Sequence, residues 1–182
     1  MERNVSYIAL FAALIVVLGL LPKFDLISGV PVTAQTLGVM LAGAVLGAKR
    51  GALAVLLFLV LVMIGFPFLS GGRGGIGVFA SPSVGFLLGW PAAAYVTGMI
   101  MAGGRPGNYL WRGMFASLIG GVGVVYIFGI PGMAIMLDKT LLEASVFALP
   151  FIPGDLVKAG VAGLVVQSLY RMRPGILLSS HE

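Results

Sequence analysis

Asp155 and Lys158 stand three residues apart in Pro150–Lys158 (PFIPGDLVK), an acid and a base at the mouth of an otherwise apolar, membrane-length segment. At i and i+3 of a helix the two side chains share a face. The carboxylate there accepts N–H groups and the ammonium donates to a carbonyl or carboxylate. The plainer reading is a mutually neutralised pair that fixes the last helix. A carboxylate or ammonium at bilayer depth costs roughly 2.5–3.5 kcal/mol on insertion scales. Only 9% of this chain is charged and 59% is hydrophobic, so such a pair is first of all a candidate binding site.

Two other segments offer polar groups. Gly29–Thr36 (GVPVTAQT) opens a helix too short to span a membrane fully. Its free N–H groups and positive dipole end suit an anionic or carbonyl-bearing ligand. Thr33 serves equally as an N-cap, whereas the amide of Gln35 needs partners inside the membrane. Gly71–Gly77 (GGRGGIG) follows Phe66-Pro67-Phe68, and residues 72–77 fit G-x-G-x-x-G. The dinucleotide fingerprint needs a strand before it and a helix after it within a βαβ unit, and here a membrane helix precedes. The run reads as a lid over an outward pocket, with Arg73 pairing a ligand carboxylate, against the alternative of a plain flexible loop. Phe79 and Phe86 are candidate apolar walls.

Catalysis finds no support. The chain has no cysteine and one histidine, His181, in its polar tail. It lacks G-x-x-x-x-G-K-[ST] and H-E-x-x-H, and Ser81 and Ser83 have no base nearby in sequence. No catalytic residue, resident cofactor or metal site is expected, and an ATPase is excluded on motif grounds.

The elements that must position these groups are membrane helices. A helix needs about 20 apolar residues to cross a ~30 Å hydrocarbon core. Six segments approach that: Val5–Leu21, a short Thr33–Ala48, Gly51–Phe66, Ser83–Ala102, Arg112–Ile130 and Gly154–Tyr170. Pro22, Pro67, Pro82, Pro131 and Pro153 fall at or beside their ends, where a missing N–H costs least. The expectation is an all-α integral membrane protein, one domain over residues 1–182, with the first helix retained rather than cleaved. Placing the N-terminus in the cytoplasm puts Arg3, Lys49, Arg50, Arg105, Arg112, Arg171 and Arg173 inside, and Lys23, Arg73, Lys139 and Lys158 outside. The positive-inside rule favours that orientation, with both termini cytoplasmic. Residues 132–149, interrupted by Asp138, Lys139 and Glu143, read as an outer loop holding a short interfacial helix. Gly43-xxx-Gly47-xxx-Gly51 and Gly85-xxx-Gly89 let helices approach closely inside the bundle, and Ala9 and Ala13 form a smooth strip on the first helix.

In this order Gly29–Gly38 (GVPVTAQTLG), Met40–Gly47 (MLAGAVLG), Gly65–Gly75 (GFPFLSGGRGG) and Pro150–Lys158 (PFIPGDLVK) resemble the BioY family. These are the biotin-specific S components, or substrate-binding subunits, of energy-coupling factor (ECF) transporters. The resemblance covers nearly the whole chain, and departs from the family's G-P-T-G-G-Y at Ala80–Phe86 (ASPSVGF). It implies the six-helix ECF S-component fold in a prokaryotic cell membrane and capture of biotin from outside. It also implies work with a transmembrane coupling subunit (the T component) and two cytoplasmic ATPases. The site residues it carries over are Thr33, Gln35, Arg73, Asp155 and Lys158, with Ala9 and Ala13 facing the coupling subunit. Biotin's ureido N–H groups, carbonyl, apolar rings and carboxylate suit that set, with Asp155 on the ureido ring and Lys158 or Arg73 on the carboxylate, or the reverse. The competing class is a self-sufficient secondary transporter or facilitator, which commonly carries two repeated halves; no repeat is visible here.

Overall fold

The computed structural model describes residues 2–103, 107–172 and 177; the expected cytoplasmic residues Arg105 and Arg173, and His181, lie outside them. The described chain is a helical bundle in the order α1 (Glu2–Gly19), α2 (Gln35–Leu46), α3 (Ala48–Met63), α4 (Val84–Ala102), α5 (Tyr109–Ser117), α6 (Val125–Leu137), α7 (Leu141–Ala148) and α8 (Phe151–Met172). Central α4 packs on α2, α3 and α6, while α5 lies along α8 and α1 along α2 and α3.

Glycine lets these helices touch backbone to backbone, as membrane packing requires. A Cβ on Gly43 would strike the Ala94 carbonyl, one on Gly85 the Phe128 carbonyl, and one on Gly98 the backbone of Ala48. The expected close approach at Gly43 and Gly85 is therefore met inside the chain. Between α2 and α3 the backbone reverses at Gly47, whose φ of 89° is open to glycine and strained for L side chains.

Four helical stretches among the described residues are long and apolar enough to cross a membrane: Glu2–Gly19, Val84–Ala102, Tyr109–Leu137 and Phe151–Met172. α2 and α3 are shorter, at 12 and 16 residues. The third stretch corrects the expected end at Ile130. α5 runs through a π-helical turn, Leu118–Val124, into α6, which continues past Pro131 to Leu137. The wider turn places Gly120 against Thr97 and Gly121 against the Met40 side chain. Pro131 lies inside α6 without ending it; proline in a membrane helix is tolerated more readily than in a soluble one. α6 ends instead at Asp138 in the left-handed region, φ 51°, with Lys139 N–H donating to the Ala134 carbonyl at 2.9 Å.

The expected outer helix is α7, opened by a capping box. Thr140 Oγ1 accepts from the Glu143 N–H at 3.2 Å, and Glu143 Oε2 accepts from the Thr140 N–H at 2.9 Å. That backbone bond, then the Thr140 hydroxyl, then Lys139, hold the Glu143 carboxyl below its ordinary range. α8 begins at Phe151, one turn before the expected Gly154, with Pro153 in its first turn.

The chain is not wholly helical. β1 (Phe24–Asp25) and β2 (Pro31–Val32) pair antiparallel, Phe24 opposite Val32 and Asp25 opposite Pro31. Gly29 at φ 73° makes the turn. Strands of two residues are too short for alternation to reveal them.

Candidate functional site

α2, α4, α6, α8 and the 69–75 loop enclose a pocket of about 520 Å³ of empty space, counted to its open mouth. Thr33, Gln35, Arg73, Asp155 and Lys158 all line it. Residues separated by as many as 125 positions in sequence (158 − 33) thus meet at one place. Ala9 and Ala13 do not; they lie exposed on α1.

Asp155 is 4% exposed, and both of its oxygens are engaged. Lys158 Nζ donates to Oδ1 at 2.8 Å and the Tyr126 hydroxyl donates to Oδ2 at 2.8 Å. Lys158 also donates to Thr36 Oγ1 at 2.9 Å. The pair is therefore the neutralising contact that the spacing allowed, yet it is not closed. A carboxylate offers about four lone-pair sites and an ammonium three donors, so each keeps capacity toward the cavity. Thr36 and Tyr126 were missed as site residues. Thr36 sits one residue beyond Gln35 in a stretch already singled out. Tyr126 stands alone in an apolar helix, and nothing in its local sequence tells a hydroxyl on a pocket from one at an interface.

Gln35 lines the pocket too, but its amide is bonded to backbone. At 1% exposure, its Nε2 donates to the carbonyls of Ile15 at 3.2 Å and Phe68 at 3.0 Å. Its Oε1 accepts from the Ser70 N–H at 3.0 Å. Both amide donors and one acceptor site are thus committed to backbone, and Gln35 ties α1, α2 and the glycine loop together. Thr33 Oγ1 accepts from the Gln35 N–H at 3.3 Å, a turn-like contact at the start of α2.

The glycine loop is pinned. Leu69 and Arg73 exchange backbone hydrogen bonds at 3.0 and 3.2 Å, and the Gly75 N–H donates to the Val62 carbonyl at 2.8 Å. Gly71, Gly72 and Gly75 all have positive φ, so this trace suits glycine. It is followed by a 3₁₀ turn, Ile76–Ala80, and no strand–loop–helix phosphate cradle forms here. Arg73 donates from Nε to the Ser70 carbonyl and from a terminal nitrogen to Ser83 Oγ, each at 3.4 Å. Ser83 is in turn 2.9 Å from Ser81 Oγ. No carboxylate of a described residue lies within ion-pairing reach of Arg73. A half-buried guanidinium with only weak, neutral partners is a ready donor for an anionic group.

Apolar walls complete the pocket. Phe86 packs edge-on to Tyr126 at 6.3 Å between ring centres and tilted against Phe151 at 5.7 Å. Leu69, Leu87 and Trp90 add to that lining, while Phe79 does not. Fixed polar groups set in a mainly apolar cleft are the usual form of a small-molecule site.

The pattern that defines the BioY family matches residues 2–175 of this chain. The chain belongs to the BioY family. The biotin transporter BioY of Rhodobacter capsulatus is 49% identical over 188 residues, covering 98% of this chain and 99% of that one. The corresponding transporter of Rhizobium etli is 51% identical over 169 residues, 90% of each chain. Among solved structures, the S component for biotin from an ECF-type ABC transporter superposes with a TM-score of 0.86 at 31% identity, covering 93% of this chain and 92% of that one. The BioY fold is thus the fold of this multi-pass membrane chain, and the resemblance read from its motifs holds. BioY relatives act as transport subunits rather than enzymes.

Proposed function

We propose that this chain captures biotin at the outer face of the cell membrane, as the substrate-specific subunit of an ATP-driven ECF importer. The observation that carries the reading is the division of charge in the pocket. A carboxylate already steadied by a hydroxyl and an ammonium keeps acceptor sites for two N–H groups. A guanidinium without a carboxylate partner among the described residues keeps donors for an acid. Biotin has the complementary parts, with ureido N–H groups at one end, a carboxylate at the other and apolar rings and chain between. The ureido ring belongs with Asp155, Lys158 and Tyr126, the carboxylate with Arg73, and the apolar body against Phe86, Trp90 and Phe151.

The membrane arrangement that suits this role has six crossings: α1, α2, α3, α4, the continuous Tyr109–Leu137 helix and α8. Both termini are cytoplasmic and the pocket opens outward. Ala9 and Ala13, exposed on α1, offer the coupling subunit a surface on which a helix can approach closely. Two cytoplasmic ATPases supply the energy for which this chain has no motif. Uptake by liposomes holding this chain alone, without ATP, would replace this reading with a self-sufficient transporter.

Calorimetry with biotin and biotin methyl ester tests the assignment. Removing a hydrogen bond to a charged group costs about 1.5–3 kcal/mol. Arg73→Ala should therefore bind biotin roughly 10- to 150-fold more weakly while leaving its ester affinity unchanged. Equal losses for both ligands would move the carboxylate away from Arg73, and full affinity in Asp155→Asn would remove that residue from the site.

A further inference from the structure

A second cavity lies at the opposite end of the bundle from the polar pocket. Tyr7, Leu10, Phe11 and Leu14 of α1, Leu46 of α2 and Leu169 of α8 line an open groove. Its walls are apolar apart from the hydroxyl of Tyr7. Of the bordering helices, α1 and α8 carry basic residues at this end, and α3 adds two just past the end of α2. Arg3 precedes Tyr7 by one helical turn, Lys49 and Arg50 follow Leu46 at the start of α3, and Arg171 follows Leu169. Arg3, Lys49 and Arg171 are exposed; among the described residues at this end the exposed acid is Glu2. From Tyr7 to Leu14 the groove runs about 10 Å along α1 at 1.5 Å per residue. That is about two-thirds of one leaflet of a ~30 Å hydrocarbon core.

We infer that this groove is a binding site for an anionic phospholipid, with one acyl chain along α1 and the phosphate among Arg3, Lys49 and Arg171. An apolar slot of this length at lipid depth matches a hydrocarbon chain in chemistry and reach. What singles out the anionic lipid is the basic border, since clustered Lys and Arg at the membrane surface each attract anionic headgroups by ≈ 1 kcal/mol. This site is distinct from the polar pocket and does not depend on what that pocket binds.

Native mass spectrometry of the full chain, delipidated in mild detergent and titrated with phosphatidylglycerol or phosphatidylcholine of matched chains, tests the inference. Phosphatidylglycerol should bind more tightly, and Lys49→Gln and Arg171→Gln should each weaken it about fivefold while leaving phosphatidylcholine unchanged. Leu14→Trp, which fills the slot, should abolish the tight adduct. Biotin affinity serves as the folding control and should be unaffected in all three variants. Equal affinity for the two lipids would overturn the inference. So would tight phosphatidylglycerol binding by Leu14→Trp. Loss of coupling-subunit assembly without any change in lipid binding would assign the groove to that partner instead, and overturn it too.

Discussion

Gln35 and Asp155 line the same pocket and are about equally buried, at 1% and 4% exposure, but their hydrogen bonds go to different places. Gln35 bonds to backbone on three sides, from α1 and the glycine loop. Asp155 bonds to two side chains of the pocket wall. A side chain that satisfies backbone is held as scaffold, because releasing it would orphan buried peptide groups. A carboxylate held by side chains can take on further donors and release them. Capacity left over, rather than burial, is what distinguishes the two side chains as proposed binding groups.

Variants at the two positions should therefore fail differently. Asp155→Ala has the largest expected effect. It strands the Lys158 ammonium, which is 14% exposed, and breaking a buried pair costs about 3–5 kcal/mol. Thermal unfolding in detergent should show a large drop and calorimetry no biotin binding. Adding Lys158→Met should recover much of the stability and none of the binding. Recovery of both would make the pair purely structural.

Gln35→Met keeps the volume but leaves the Ser70 N–H and two carbonyls without their partner, a loss of up to about 3 kcal/mol. Its signature is lowered stability and faster proteolysis at the 69–75 loop, with biotin affinity falling less than in the Asp155 variants. The reverse ranking, stable protein with lost affinity, would make Gln35 a ligand contact and erase the distinction. Tyr126→Phe is the mildest. It keeps the ring against Phe86 and removes one donor to a charged acceptor, worth about 1.5 kcal/mol. Affinity should fall roughly tenfold, with the melting temperature nearly unchanged.

Much of this was legible before any fold was known. Asp155 and Lys158 declared themselves because charge is rare in this chain and helical spacing places i and i+3 together. The glycine loop was visible as a break between apolar runs, and Gly43 and Gly85 as points of close helix contact. The reading failed where local pattern carries no long-range information. Pro131 marked an end that α6 runs through, because a proline in a membrane helix need not terminate it. Tyr126 looked like any tyrosine in an apolar helix, although 29 residues later in the chain lies the carboxylate it holds. The β1–β2 ribbon was too short to show any period.

Sequence alone determined that this chain lives in lipid and which few charges it buries there, because the cost of placing polar groups in hydrocarbon leaves its mark on composition residue by residue. Tertiary structure alone decided which of those groups satisfy one another. Hydrogen bonding is settled between atoms a few ångströms apart, and helices far separated in sequence supply both ends of each bond. That is why Gln35 became a clamp, Arg73 has no carboxylate partner among the described residues, and Asp155 found Tyr126.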